Sequence, residues 1–223
     1  MIVKYFTTLN HLMVLPKSVI ELFIQDEETD YLHPFLFILF GAFTMIILNT
    51  TLVSFPSVSP ITVPIVEPVQ VEQVAEWIEV VTIRLSTQYY PLMLLLLIPL
   101  LSMTGLFFFR NETEGFYSQL IMNSYATGAS IPVLLAAIPF WIFLDIPMSD
   151  PFMNTTLPAI LVSITILWIY KNYLKIPGFI GLIKMASTLI TGYLLFMLLK
   201  GFAGGIIGYT LFALNRIREL SGA

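Results

Sequence analysis

Few side chains in this chain are of the types that carry out chemistry. His11 and His33 are its two histidines, and no cysteine occurs. Neither histidine has a partner at the spacing of a helical metal site. A Gly-rich phosphate loop and a GxSxG motif are also absent from the sequence. We therefore predict no enzyme activity, no catalytic residue, no cofactor, no bound metal and no nucleotide.

Isolated polar residues inside long apolar segments are the remaining candidates for a function. An ionisable side chain at membrane depth is costly and often marks transport or proton transfer. Lys184 is the best single candidate, although its position near the start of its segment also lets the ammonium reach the membrane interface. Asn49, Asn123 and Thr127 either line an interior path or join neighbouring helices.

A glycine-rich tail follows the last of these segments. Gly201 with Gly205, and Gly204 with Gly208, form two overlapping pairs of small residues four apart. Such pairs let another helix approach closely. The tail therefore predicts helix packing or a bend, and exposed backbone along a ligand passage is a further alternative.

The composition excludes an ordinary soluble domain. Hydrophobic residues make up 57% and charged residues 11% of the 223, and the mean hydropathy is +0.89. The apolar residues form continuous stretches of membrane-spanning length, which predicts an all-α, polytopic transmembrane helical bundle. A net charge of −4 without any Lys/Arg block argues against a nucleic-acid partner.

The apolar stretches predict five spans and leave a sixth open. The five lie at about residues 35–55, 91–109, 120–144, 157–170 and 179–199. Residues 202–215 are the alternative sixth, but they are short for a crossing at about 1.5 Å of rise per residue. Without a sixth crossing, this segment continues the fifth helix or lies on the far surface.

Two regions outside the spans predict helices or loops that do not cross the membrane. Residues 1–34 predict an interfacial N-terminal helix whose second half begins at Pro16, and residues 35–223 form the bundle. Residues 56–90 predict an external Pro-rich loop followed by an amphipathic surface helix. The loop carries a proline every four residues: Pro56, Pro60, Pro64 and Pro68.

The basic residues predict the orientation, because loops on the cytoplasmic side retain Lys and Arg. With the N-terminus inside, the two external loops hold only Arg84. A sixth crossing would place Lys200 at an outer turn and bring Arg216 and Arg218 inside. The cytoplasmic set is Lys4, Lys17, Arg110, Lys171, Lys175 and Lys184.

Four segments carry a resemblance to a known family: LPKSVIELFIQ, YLHPFLFILFGAFTMII, the long central stretch from Tyr90 to Gly128, and YKNYLKIPGFIGLIK. Together they resemble the bacterial DUF3667 membrane proteins and, more remotely, the Yip1-like multi-span proteins. The resemblance implies a multi-pass protein of a bacterial cytoplasmic (inner) membrane. Many DUF3667 proteins carry an N-terminal Cys-x-x-Cys ribbon, which this chain lacks, so no metal-binding role is implied.

Abundant packing residues without reactive residues predict a non-catalytic role. The sequence favours an integral membrane scaffold or accessory subunit that docks to a larger complex through its glycine-rich tail and external helix. The alternative is a small transporter or lipid-handling membrane protein. The expected partners are the lipid bilayer and either other membrane subunits or further copies of this chain.

Overall fold

The computed structural model describes residues 1–25, 30–52, 70–87, 90–113, 115–143, 152, 156–174, 176 and 178–221. Within these ranges the chain forms eight α-helices and no strand. The helices are α1 (Ile2–Val14), α2 (Pro16–Ile24), α3 (Pro34–Leu52), α4 (Gln70–Thr87), α5 (Tyr90–Phe108), α6 (Phe116–Phe143), α7 (Leu157–Leu174) and α8 (Gly178–Ser221).

Four of the described helices, α5 to α8, are long and apolar enough to cross a membrane. Helix α3 adds a shorter apolar stretch over Pro34–Leu48. By length and composition these helices are those of a multi-pass membrane protein. Most of the bundle's large exposed side chains are apolar, as expected of helices that face lipid.

Helix α6 is the centre of the bundle. It packs against α3, α5 and α7, and every residue from 121 to 130 is buried. Close packing with α3 depends on Gly128, where an added Cβ would lie 2.6 Å from Cδ1 of Phe37. The described part of α6 begins four residues before the predicted span and continues through Pro132 and Pro139.

The N-terminal region forms two helices that dock on the bundle. Helix α1 ends before Leu15, and Pro16 begins α2, the position that the sequence predicts. Tyr5 packs on the ring of Phe37, and burial raises the pKa of the Tyr5 hydroxyl to about 12. The opposite side of α1 exposes Val3 and Phe6, as suits a helix at a membrane interface.

One end of the bundle, here called the hairpin end, contains both tight connections. There α5 is followed by α6, and α7 by α8. Gly115 immediately precedes α6 and Gly178 is the first residue of α8, and their φ values of 117° and 78° favour glycine. Helix α2 also packs here, against α6 and α7.

Helix α8 is continuous over 44 residues. At 1.5 Å per residue it is about 66 Å long, roughly twice the thickness of the hydrocarbon core. No turn interrupts it at Lys200, so residues 202–215 do not return as a separate sixth crossing. The predicted fifth span and the glycine-rich tail are one helix.

Helices α5 and α4 lie one after the other along α8. Thr104 of α5 donates a hydrogen bond to the Thr188 carbonyl (3.4 Å), and Gly192 lies against Leu101. Further along α8, Gly204 lies against Thr82 of α4, and four residues later Gly208 lies against Ile78. Helix α4 is thus paired with the outer part of α8 rather than isolated on the bilayer. We call α4 together with residues 203–221 the arm.

Several predicted features fall outside the described residues. They include the external Pro-rich loop, Lys175 and the side chains of Arg84 and Arg218.

Candidate functional site

A hydrogen-bonded polar network lies inside the bundle around Asn123 of α6. Its Nδ2 donates to Ser102 Oγ on α5 (3.2 Å) and to the Gln119 carbonyl (2.8 Å). Its Oδ1 accepts a short hydrogen bond from the Tyr170 hydroxyl on α7. Asn123, Ser102 and Tyr170 are fully buried. One amide therefore joins three helices, because a polar group without partners at this depth would be costly.

Gln119 extends the network one turn toward the hairpin end. Its Nε2 donates to Thr113 Oγ1 (3.0 Å), and Thr113 in turn donates to the Phe109 carbonyl (3.1 Å). Its Oε1 is buried and has no hydrogen-bond donor within the described residues. That oxygen lies against Gly105 of α5, where an added Cβ would be 2.3 Å away. The close approach of α5 and α6 here depends on this glycine.

Thr127 continues the same side of α6 toward the other end. Gln119, Asn123 and Thr127 are spaced four residues apart, so they lie along one helix face. Thr127 Oγ1 is buried and, among the described residues, has no hydrogen-bond partner. Its carbonyl accepts from Ser130 Oγ (2.6 Å). The network is closed around Asn123 and has a vacant acceptor on each side of it.

Lys184 forms an ion pair at the hairpin end. Its Nζ lies 2.5 Å from Oε1 of Glu112, in the turn after α5. The two side chains are 29% and 23% exposed, respectively. The pair ties α8 to the α5–α6 connection, and it places the lysine charge at the end of the helices rather than midway along them.

A small cleft lies beside this ion pair, between α2, the turn after α5 and the end of α7. Its volume is about 210 Å³. Lys17 and Glu21 of α2 form an ion pair on one wall, 3.1 Å apart, and Glu112 lies on the other. Thr113, which accepts from Gln119, also lines the cleft, so the cleft adjoins the buried network.

The four tail glycines divide into two pairs. Gly204 and Gly208 face α4, where added Cβ atoms would lie 2.3 Å from Thr82 Oγ1 and 2.7 Å from the Ile78 Cα. At Gly201 and Gly205 an added Cβ would meet no atom of the described residues within 4 Å. One small-residue pair is thus filled by the chain's own helix, and the other lies open.

The remaining predicted polar residues are not brought together. The backbone of Asn49 belongs to α3, but its side chain lies outside the described part of the structure. His11 Nδ1 lies 2.8 Å from the Tyr31 hydroxyl, and His33 Nδ1 accepts from the Phe35 amide (3.2 Å). Within the described ranges, no group of three or more His, Asp or Glu side chains could hold a metal ion.

Sequence reasoning singled out Asn123, Thr127 and Lys184 but missed their partners. Gln119 was detectable, because it shares the four-residue spacing with Asn123 and Thr127. Tyr170 and Glu112 were not, because they are 47 and 72 residues away from the groups they contact.

The fold and these sites have no counterpart among the proteins compared with the chain. No family model, no curated protein and no solved structure matches it. The resemblance to DUF3667 and Yip1-like proteins therefore rests on the sequence segments alone and stays a prediction.

Proposed function

We propose that this chain is a non-catalytic membrane scaffold or accessory subunit, and that the arm is its docking element. The observation that carries the proposal is an apolar face of α8, about 28 Å long from Leu198 to Ile217, that no other described part of the chain covers and that extends beyond the part of the helix paired with α5. Lipid covers apolar helix faces within the bilayer, but water does not, so the outer part of this face requires a protein partner.

The uncovered face is a single line of side chains, here called the apolar stripe: Leu198, Phe202, Ile206, Tyr209 and Ile217. Each is at least 60% exposed. Their spacing of three, four or eight residues places them on one side of the helix, opposite Gly204 and Gly208, which face α4. Burying each large apolar side chain is worth about 1.5–3 kcal/mol. The stripe therefore provides enough apolar surface for a stable contact.

The position of the stripe favours a partner that is itself a membrane protein. Helix α5, which runs beside the inner part of α8, is 19 residues or about 28 Å long, close to one hydrocarbon thickness. The stripe begins at Leu198, six residues beyond the Gly192 contact with α5, and continues along the arm, with a gap of eight residues between Tyr209 and Ile217. A partner helix that leaves the bilayer beside α8 would cover the stripe over its whole length, with the open Gly201 and Gly205 allowing close approach.

Site-directed crosslinking in native membranes tests this proposal. A photoreactive amino acid at Ile206 should crosslink to a protein, whereas the same probe at Ile164, an exposed apolar residue of α7, should crosslink mainly to lipid. The Ile206→Glu variant should lose the stoichiometric partner on native purification. Ala75→Glu, at an exposed position of α4, should keep it. A chain that purifies alone, and whose Ile206 probe captures only lipid, would overturn the proposal.

The proposed location is a bacterial cytoplasmic membrane, with the N-terminus and the hairpin end in the cytoplasm and the arm outside. Support comes from the basic residues, since Lys17, Arg110, Lys171 and Lys184 all lie at the hairpin end. Because the native chain has no cysteine, single-cysteine variants report topology directly. In intact cells, Ala75→Cys should react with a membrane-impermeant thiol reagent, and Lys17→Cys should react only after permeabilisation.

The buried network favours a second candidate, a small transporter or lipid-handling protein. Three polar residues on one face of α6 and two vacant acceptors, Gln119 Oε1 and Thr127 Oγ1, are what a partly hydrated path requires. A small cationic thiol reagent should modify Thr127→Cys if water reaches it. Ala129→Cys, equally buried on another face of α6, should stay unmodified. Equal protection of both variants would remove this candidate.

A further inference from the structure

The cleft at the hairpin end combines features that neither proposed function uses fully. We propose that it binds a zwitterionic group carrying a phosphate and a primary ammonium, supplied by a phospholipid with an ethanolamine headgroup. The proposal names a ligand for the lipid-handling candidate and is independent of the arm. A chain without any partner on its apolar stripe would still have this site.

The charges in the cleft favour a ligand that carries both signs. Lys17 and Glu21 lie on one wall, and Glu112, paired with Lys184, lies on the other. Among the described residues, three charged side chains line the cleft, Lys17, Glu21 and Glu112, and Lys184 pairs with Glu112 from outside the lining, so these four charges sum to zero. A purely anionic headgroup would meet the two carboxylates of the lining and a purely cationic one the Lys17 ammonium, whereas a zwitterion can place each charge beside its opposite.

Both ion pairs can exchange partners at little cost. All four side chains are between 23% and 43% exposed, and ion pairs with such access to water contribute little to stability. A ligand phosphate beside Lys17 and a ligand ammonium beside Glu112 would replace these contacts with others of the same kind. The exchange leaves Glu21 and Lys184 without their partners, but both side chains have access to water, so no fully buried charge is left unpaired.

The shape and position of the cleft favour a lipid over a free solute. A volume of about 210 Å³ corresponds to roughly seven water molecules, which is enough for a headgroup but not for acyl chains. Ile24 and Leu174 contribute apolar wall on the side of the bundle. The cleft lies where the apolar helices end, which is the depth at which phospholipid headgroups lie.

The carboxylates of the cleft favour the primary ammonium of ethanolamine over the quaternary ammonium of choline. A primary ammonium has three N–H donors for carboxylate oxygens, and a quaternary one has none. Glu21 and Glu112 would therefore distinguish the two headgroups even though both carry the same net charge. Hydrogen bonds to charged groups are strong enough to produce about a tenfold preference.

Native mass spectrometry of the full chain in detergent tests the proposal. Phosphatidylethanolamine, phosphatidylcholine and phosphatidylglycerol with identical acyl chains are added at equal concentration. We expect about a tenfold preference for the ethanolamine lipid over each of the others. Free O-phosphoethanolamine serves as the competitor. Displacement at concentrations similar to those of the lipid would identify a soluble zwitterion as the source, and displacement only at much higher concentrations would identify the lipid.

Variants link the preference to the cleft. Glu112→Gln and Glu21→Gln should each reduce it to about threefold or less, because each removes a carboxylate acceptor. Glu21 lies on a partly exposed face of α2, so Glu21→Gln keeps the test valid if Glu112→Gln fails to fold. Glu79→Gln, on the exposed side of α4, is the charge-matched control and should leave the preference unchanged. Equal binding of the three lipids, or a preference that survives both cleft variants, would overturn the proposal.

Discussion

The hairpin end and the arm are held together by different means, although α8 takes part in both. At the hairpin end its side chains meet their partners through charge and hydrogen bonds, such as the Lys184–Glu112 pair. In the arm α8 packs closely against α4 because Gly204 and Gly208 have no side chains. Polar contacts tolerate small displacements of flexible side chains, whereas backbone packed against backbone does not. The arm should therefore be much more sensitive to the smallest changes of volume.

The largest expected effect comes from a single methyl group in the arm. Gly208→Ala places a Cβ 2.7 Å from the Ile78 Cα, so α4 must move away from α8. We expect a loss of about 1–3 kcal/mol in the unfolding free energy of the arm, typical of overpacking. Hydrogen exchange of the α4 amides in the purified chain measures the effect, because we expect α4 to separate from α8 before the rest of the bundle unfolds.

Gly205→Ala is the matched control for this variant. It changes the same residue type in the same helix but adds a methyl group where no atom of the described part of the chain lies within 4 Å. Because alanine favours a helix over glycine by about 0.5–1 kcal/mol, this variant should be neutral or slightly stabilising. Equal destabilisation by both variants would show that the arm is sensitive to helix composition rather than to the close approach of α4.

An intermediate effect is expected from the polar network that adjoins the hairpin end. Asn123→Ala leaves the Tyr170 hydroxyl and the Ser102 hydroxyl without one partner each. The expected loss in unfolding free energy is about 1–2 kcal/mol, near the upper end for hydrogen bonds in membrane proteins, because two contacts between helices are lost together. Thermal unfolding in detergent measures it.

Asn172→Ala separates this loss from the general effect of removing an asparagine. The Asn172 side chain is on the exposed surface of α7 and donates to the Trp168 carbonyl of its own helix (2.8 Å). Its removal should change stability by less than about 0.5 kcal/mol. Tyr170→Phe should approach the effect of Asn123→Ala, and a far smaller effect would mean that the short contact between them is not a significant interaction.

The sequence predicts the elements of this fold better than their pairing. Continuous apolar runs were sufficient for the helices, since both length and composition are local properties. They were not sufficient to tell a sixth crossing from a continuation of α8, because glycines permit a turn and equally permit close packing. The choice between them depends on α4, more than 110 residues earlier in the chain, and no local pattern describes that contact.

The polar site shows the same difference between residues that the sequence identifies and contacts that it does not. Asn123 and Thr127 are visible in the sequence as polar residues in an apolar helix, and Gln119 shares their spacing. The role of Asn123 depends on Tyr170, which lies on another helix, 47 residues later in the chain, at the end of a predicted span. For Lys184, the structure places the ammonium near the helix ends, beside Glu112, and its position at a membrane interface stays a prediction. The rule that lysines extend to the interface contains no information about Glu112.

The smallest expected effect belongs to the Lys184–Glu112 ion pair. Its side chains are about one quarter exposed, so solvent screens the attraction, and the coupling should not exceed about 1 kcal/mol. A double-mutant cycle of Lys184→Met and Glu112→Gln measures the coupling, and it should fall as the salt concentration rises. Lys17→Met with Glu21→Gln is the reference cycle, because that pair is more exposed and lies within one helix. A coupling of several kcal/mol that is insensitive to salt would place the Lys184 pair in a dry environment, and the contrast between a hydrated hairpin end and a closely packed arm would then be wrong.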